Sequence, residues 1–224
     1  MPVIVVFLSA GCTGGEKAKK FEARDDPRVL AQINEAKVNN ATELKLDYWG
    51  LTNLKPLAPL TKLEGLALHG NQITDLTPLA GLTALNRLDL HGNQIIDLIP
   101  LAELTGLEQL DLFDNRIKDV ASLAGLIKLE LLHLWKNNIT DVAPLAGLTG
   151  LTNLLLSSNN ITDIAPLAKL TKLETKWLDN NKIIDVKPLA GLINLETLML
   201  GANPIPEDQI KMLKAALPDC KILF

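Results

Sequence analysis

Apolar residues fall in a pattern that restarts every 22 positions from Ala41 onward. In the copy over residues 63–84, LEGLALHGNQITDLTPLAGLTA, leucines at 63, 66 and 68 are followed by Ile73, Leu76, Leu79 and Leu82. Further copies begin at Leu85, Leu107, Leu129, Leu151 and Leu173, a degenerate one begins at Ala41, and a half copy spans 195–205. That makes seven full units and a half. Around Leu66 and Leu68 the alternation has the period of a half-buried strand, which predicts both leucines pointing inward and Gly65, Ala67 and His69 outward. A single unit has too few apolar side chains to offset the ordering of its backbone, so the pattern implies an array in which each unit buries the edge of the next.

Two polar positions share the period. Asparagine recurs at 71, 93, 115, 137, 159, 181 and 203, where an amide can donate to and accept from a turning backbone. Aspartate recurs four residues later, at 75, 97, 119, 141, 163 and 185, ahead of a short helical turn whose free N–H groups a carboxylate caps. That role accounts for every copy and leaves the aspartate column no metal function. Two departures stand out. Trp49 replaces the asparagine of the first unit and is expected to pack beneath a preceding helix. Lys176 stands where the other units carry an inward leucine, a position in which an unpaired ammonium is costly.

The ends of the array need covers. Asp26-Pro27 followed by Val29, Leu30, Ile33 and Ala36 reads as a capped amphipathic helix within residues 26–40. Residues 206–224 read as a second helix carrying Ile210, Leu213 and Leu217 on one face, closed by Pro218, then a last short strand. Cys220 in that apolar setting is expected to be a buried core thiol.

The motif L-x-x-L-x-L-x-x-N resembles leucine-rich repeats, and the continuation I-x-D-[LVI]-x-P-L-A-x-L resembles the internalin-type 22-residue class, across residues 41–205. The resemblance implies an α/β solenoid: a right-handed horseshoe with a concave parallel β-sheet and helical caps at both ends. It also implies a non-enzymatic module that binds a protein partner. At the amino terminus, the apolar run Pro2 to Leu8 and the small residues Ser9-Ala10-Gly11 leading to Cys12 resemble a bacterial lipoprotein signal. Leu8 falls one position early, and no Lys or Arg precedes the run. The resemblance implies a signal peptide over 1–11, lipidation of Cys12, a linker over 12–25 and a location in the cell envelope, with the membrane reached only through the lipid. Without that signal, the alternative is a cytoplasmic regulatory scaffold.

Net charge is −4 with no basic run, which argues against a nucleic-acid partner. Two cysteines 208 residues apart make no disulfide framework. No GxxxxGK[ST], HExxH, GxSxG or CxxC motif occurs, so neither an enzyme nor a cofactor is expected. Chemistry concentrates instead at the outward strand positions. These put all three histidines, His69, His91 and His133, on one face with Phe113, Leu131, Trp135, Leu155, Trp177 and Met199. These nine residues form the expected partner site, anchored by Trp135 and Trp177, because a contiguous outward apolar group marks a contact surface. The aromatic stripe also admits a glycan-binding or envelope-structural role. Asp47 and Asp89 lie near His69 and His91, but zinc wants about four converging ligands, and a flat sheet does not converge them, so no metal is assigned.

Overall fold

The computed structural model describes residues 26–224; the expected signal over 1–11, the Cys12 lipidation site and the whole linker over 12–25 lie outside the described residues. Helix α1 (Pro27–Val38) opens the described chain, with Asp26 accepting a hydrogen bond from the Arg28 N–H and Pro27 at the first helical position. Eight three-residue strands follow at the repeat spacing: β1 (Glu43–Lys45), β2 (Gly65–Ala67), β3 (Arg87–Asp89), β4 (Gln109–Asp111), β5 (Leu131–His133), β6 (Asn153–Leu155), β7 (Thr175–Trp177) and β8 (Thr197–Met199). Helix α2 (Glu207–Ala216) and β9 (Lys221–Leu223) end the chain. All nine strands form one open parallel sheet in sequence order. From β1 to β8 each residue pairs with the residue 22 positions on, as in Leu66↔Leu88. This is the α/β solenoid horseshoe expected from the repeat. No helix among the described residues is long and apolar enough to cross a membrane.

The leucines of the strands and the return segments fill one continuous core; Leu66 is 3% exposed and Leu68 0%. On the convex side each unit makes a short 3-10 turn, such as Thr77–Leu79 or Ala165–Lys169, that aims a buried leucine inward. The six recurrent aspartates hold those turns, each Oδ1 accepting the N–H two residues ahead at 2.8–2.9 Å, as Asp119 does from Ala121. Asn53 does the same in the first unit, toward Lys55.

Coil is tied to coil by the asparagines. Asn115 Nδ2 donates to the Leu90 carbonyl of the preceding unit (3.0 Å) and the Leu112 carbonyl of its own (3.1 Å), while its Oδ1 accepts the Ile95 N–H (3.0 Å). The same three bonds recur from Asn71 to Asn203. Each asparagine follows a left-handed residue with φ between 53° and 66°, Gly70 and Gly92 in two units but Asp114, Lys136, Ser158, Asn180 and Ala202 in the others, and Tyr48 takes the same conformation ahead of Trp49. A non-glycine residue there costs roughly 1–2 kcal/mol, which the bonds of the adjoining amide offset. Gly70 is further required because a Cβ would lie 2.3 Å from the Tyr48 ring.

At the first unit Trp49 packs against the core, and the Arg28 guanidinium of α1 stands 5.0 Å from its ring centroid. At the far end Cys220 corrects the expectation of a buried thiol. It is half-buried beside the edge strand β9, and partial burial raises its pKa. Lys176 points inward, is 0% exposed, and its Nζ has no hydrogen-bond partner among the described residues. Desolvation pushes its pKa down to about 7.

Two outcomes follow. Asn115→Ala strands the buried Ile95 N–H and leaves the Leu90 and Leu112 carbonyls only their bonds to Asn93 and Asn137. It should cost about 2–4 kcal/mol, whereas Asp119→Ala, at the exposed turn, should cost about 1 kcal/mol; urea unfolding of the two variants checks the difference. Lys176→Leu should stabilise the chain. The unfolded lysine keeps its proton up to its ordinary value of 10.5, while the folded one releases it near 7. Native stability therefore rises with pH between those limits. The variant's advantage should be roughly 3–5 kcal/mol below pH 7 and should shrink toward pH 10.5, read from denaturation midpoints across that range.

Candidate functional site

Three outward positions per unit form columns across the sheet, and in-register parallel pairing brings equal positions of neighbouring units within a strand spacing of about 4.8 Å. In the third column the rings have no choice but to meet. Tyr48 meets His69 edge-on at 4.8 Å between centroids, and His69 and His91 stack at 4.3 Å with 8° between planes. His91 and Phe113 follow at 5.8 Å, then Phe113 and Trp135 at 3.8 Å and 10°. Trp177, from the middle column, closes the row at 6.5 Å and 79° to Trp135. Faces along the stack cover one another, and edges are what the hollow side sees. His69, His91, Phe113, Leu131, His133, Trp135, Trp177 and Met199 are accordingly half-buried rather than exposed.

Leu155 departs further from expectation. It lies on the outward side but is only 8% exposed, because it is paired between His133 and Trp177 on the adjoining strands and their larger side chains close over it. Nine of the expected site residues thus share one face, eight of them reachable. Tyr48 and Lys136 join them unforeseen. They occupy the left-handed turn position just past the strand, where alternation carries no information. Lys136 Nζ reaches Asp114 at 2.7 Å and lies 5.8 Å from the Phe113 ring centroid.

The amino-terminal half of the face is polar. Gly65 leaves room for the Glu43 carboxylate to cross above β2 and accept from Arg87; a Cβ at that position would fall on the carboxylate. Gly65 and Ala67 floor a shallow hollow of about 560 Å³, measured out to its open mouth, walled by residues that include Lys45, Arg87, Asp111, Leu131 and His133. Beside it carboxylates and imidazoles alternate. Asp89 Oδ1 accepts from the His91 backbone N–H (3.1 Å) and from His91 Nδ1 (2.8 Å). Asp111 binds the Phe113 N–H through Oδ1 (3.0 Å) and His133 Nδ1 through Oδ2 (3.0 Å). His69 Nδ1 lies between Asp47 Oδ1 (3.0 Å) and Asp89 Oδ2 (3.2 Å). Curvature of the stack thus gathers side chains that the sequence alone leaves spread along a flat sheet.

These contacts move the titrating groups. Burial pushes the Asp47 carboxyl upward, with the His69 charge opposing. Burial pushes Asp89 upward too, but the hydrogen bond and charge of His91 outweigh it and hold the carboxyl below its ordinary value. For His91 burial acts downward, and the Asp89 hydrogen bond, with the charges of Asp89, Asp111 and Asp47, outweighs it and raises the imidazole.

The family model described as leucine-rich repeats in two copies matches residues 61–103, 83–125, 105–147 and 127–169. The chain belongs to the leucine-rich-repeat proteins. Among its solved neighbours, internalin C2 of Listeria monocytogenes superposes with a TM-score of 0.83 at 37% identity, over 89% of this chain and 92% of that one. Internalin F of the same organism gives 0.61 at 27% identity, over 87% and 74%. A leucine-rich-repeat protein of Leptospira interrogans gives 0.70 at 28%, over 85% and 57%. No curated protein matches the chain.

The His91–Asp89 pair predicts a pH dependence. A raised histidine contributes stability that is full below its ordinary 6.5 and lost as pH rises through the raised value; the lowered Asp89 contributes above 3.8 and is lost as pH falls through its own. The stability lost in His91→Gln should therefore be larger at pH 5.5 than at pH 8.5, by an amount on the order of 1 kcal/mol. Thermal denaturation of wild type and variant at the two pH values reads it directly.

Proposed function

We propose that the chain is a non-enzymatic recognition module that binds a protein partner through the concave sheet, with the apolar strip of Phe113, Leu131, Trp135, Trp177 and Met199 as its contact and His69, His91 and His133 at its polar end. One observation carries this. The column that holds Phe113 and Trp135 also holds Ser157, Asp179 and Gly201 in later units, and the middle column that holds Trp177 and Met199 holds Ala67 earlier. The coil therefore folds with almost any side chain at these positions, and half-buried indoles there answer to something other than folding. Tryptophan is also the residue type most enriched among those that dominate binding energy. The open, shallow hollow suits a protein surface better than it suits enclosure of a reacting molecule.

Lipid attachment at Cys12 would hold the module in the cell envelope outside the cytoplasm; a cytoplasmic scaffold is the alternative in its absence. A glycan ligand is the second reading, and it rests on Trp177, whose 79° tilt leaves it outside the face-to-face stack. Phe113 and Trp135 cover each other's faces at 3.8 Å, which disfavours sugar stacking on that pair.

The test is the double variant Trp135→Ala/Trp177→Ala against a partner captured from host or self extracts. Its affinity should fall by more than about 2 kcal/mol, roughly 30-fold, while circular dichroism stays native. Undiminished affinity in a folded variant moves the site to the convex side, and retention on a glycan array in place of a protein partner selects the second reading. Metabolic lipid labelling should mark the wild type and not Cys12→Ala.

A further inference from the structure

We propose that His69, Asp89 and His91, with Asp47 beside His69, form a site for one divalent transition-metal ion of the zinc type at the amino-terminal end of the concave face. The proposal stands apart from the partner reading and does not depend on it.

The spacing is the first ground. His69 Nδ1 has Asp47 Oδ1 at 3.0 Å and Asp89 Oδ2 at 3.2 Å, and ligand atoms of His69, Asp89 and His91 all fall within 4.8 Å of one another. Donors bound to one ion at about 2.0–2.2 Å stand roughly 3–3.5 Å apart, so each carboxylate already stands at ligand spacing from His69 Nδ1, and His91 completes the group by moving closer. The second ground is an orphaned atom. His69 Nδ1 is sealed from solvent, yet neither carboxylate is placed to take a hydrogen bond from it. A lone pair at that nitrogen would face two carboxylates, acceptor against acceptors; a cation among the three turns each contact attractive. Third, the carboxylates are held in place from behind. The His69 backbone N–H donates to Asp47 Oδ1 at 3.2 Å and the His91 backbone N–H to Asp89 Oδ1 at 3.1 Å. Such supporting bonds orient ligands before an ion arrives.

His91 has a different part. Its ring lies parallel to that of His69, and one ion cannot sit in the planes of two stacked rings. It either turns about its Cβ–Cγ bond to become the fourth ligand or stays on Asp89 and fixes that carboxylate. Two carboxylates with neutral imidazoles balance a 2+ ion, and imidazole with carboxylate favours zinc, cobalt or nickel over calcium. The His133–Asp111 pair supplies the internal control, since it has one carboxylate and a satisfied hydrogen bond.

The experiment uses the full chain, freed of any affinity tag and stripped with EDTA, titrated with zinc chloride by calorimetry at pH 7.5. One equivalent should bind with a Kd in the micromolar range or below, and the melting temperature should rise. His69→Gln and Asp89→Asn should each weaken binding by about 30-fold or more, and His133→Gln should not change it. Binding should weaken in acid, because protons compete with the ion for its ligands. Cobalt in place of zinc should give visible absorption that Asp47→Asn alters, a readout that survives if His69→Gln fails to fold. Absence of saturable zinc binding, or equal affinity in folded His69→Gln, overturns the proposal.

Discussion

Parallel strands paired at an offset of 22 residues place every side chain beside its own counterpart in the next unit. That register is the constraint from which the rest of the molecule descends. At inward positions it stacks leucine on leucine and makes a dry core. At the turn it stacks asparagine on asparagine, each amide satisfying groups of two coils at once. At outward positions it has no opinion about chemistry and simply amplifies whatever stands there. Rings become a row, and alternating acids and imidazoles become a cluster. Because contacts run between neighbouring units, stability accumulates as a sum of local terms, and a defect in one unit is carried by those on either side.

Lys176 measures how much such a sum tolerates. A buried ammonium without a partner is among the most costly substitutions a core can hold, yet β7 keeps its pairing to β6 and β8 on both sides. Desolvation brings its pKa to about 7, so much of the cost is met by losing the proton. The six non-glycine residues held in the left-handed turn tell the same story in smaller increments. The repeated amide bonds and leucines hold a conformation that the local residue does not prefer.

Much of this was legible in the sequence because the period is. The inward and outward sets, the asparagine ladder, the aspartate caps and the anomaly at Lys176 all follow from position within the unit, and each is found in the structure. What eluded the sequence depends on distances between units. Alternation puts Leu155 outward but cannot say that His133 and Trp177 close over it. It lists His69 and His91 as neighbours without showing that their rings stack, or that Asp47 and Asp89 converge on one nitrogen. Cys220 departs from expectation for a related reason, since it lies past the repeats, where an argument that treats every unit alike does not reach. Tyr48 and Lys136 sit where the strand has ended and period-two reasoning stops.

The face that results is divided rather than uniform, and the division constrains what can approach it. Toward the amino terminus the side chains are charged, and their bonding is largely internal: Glu43 to Arg87, Asp89 to His91, Asp111 to His133. A ligand competing for those groups must replace bonds already made, which limits the net gain. Toward the carboxy terminus, ring edges, Leu131 and Met199 are half-buried with few polar atoms, so covering them removes apolar area from water without breaking anything. On the proposed reading, affinity would therefore be concentrated at the apolar end, while the polar end would set orientation and charge. A partner that matched both would span several strands, which at about 4.8 Å each is the scale of the protein surface proposed for it.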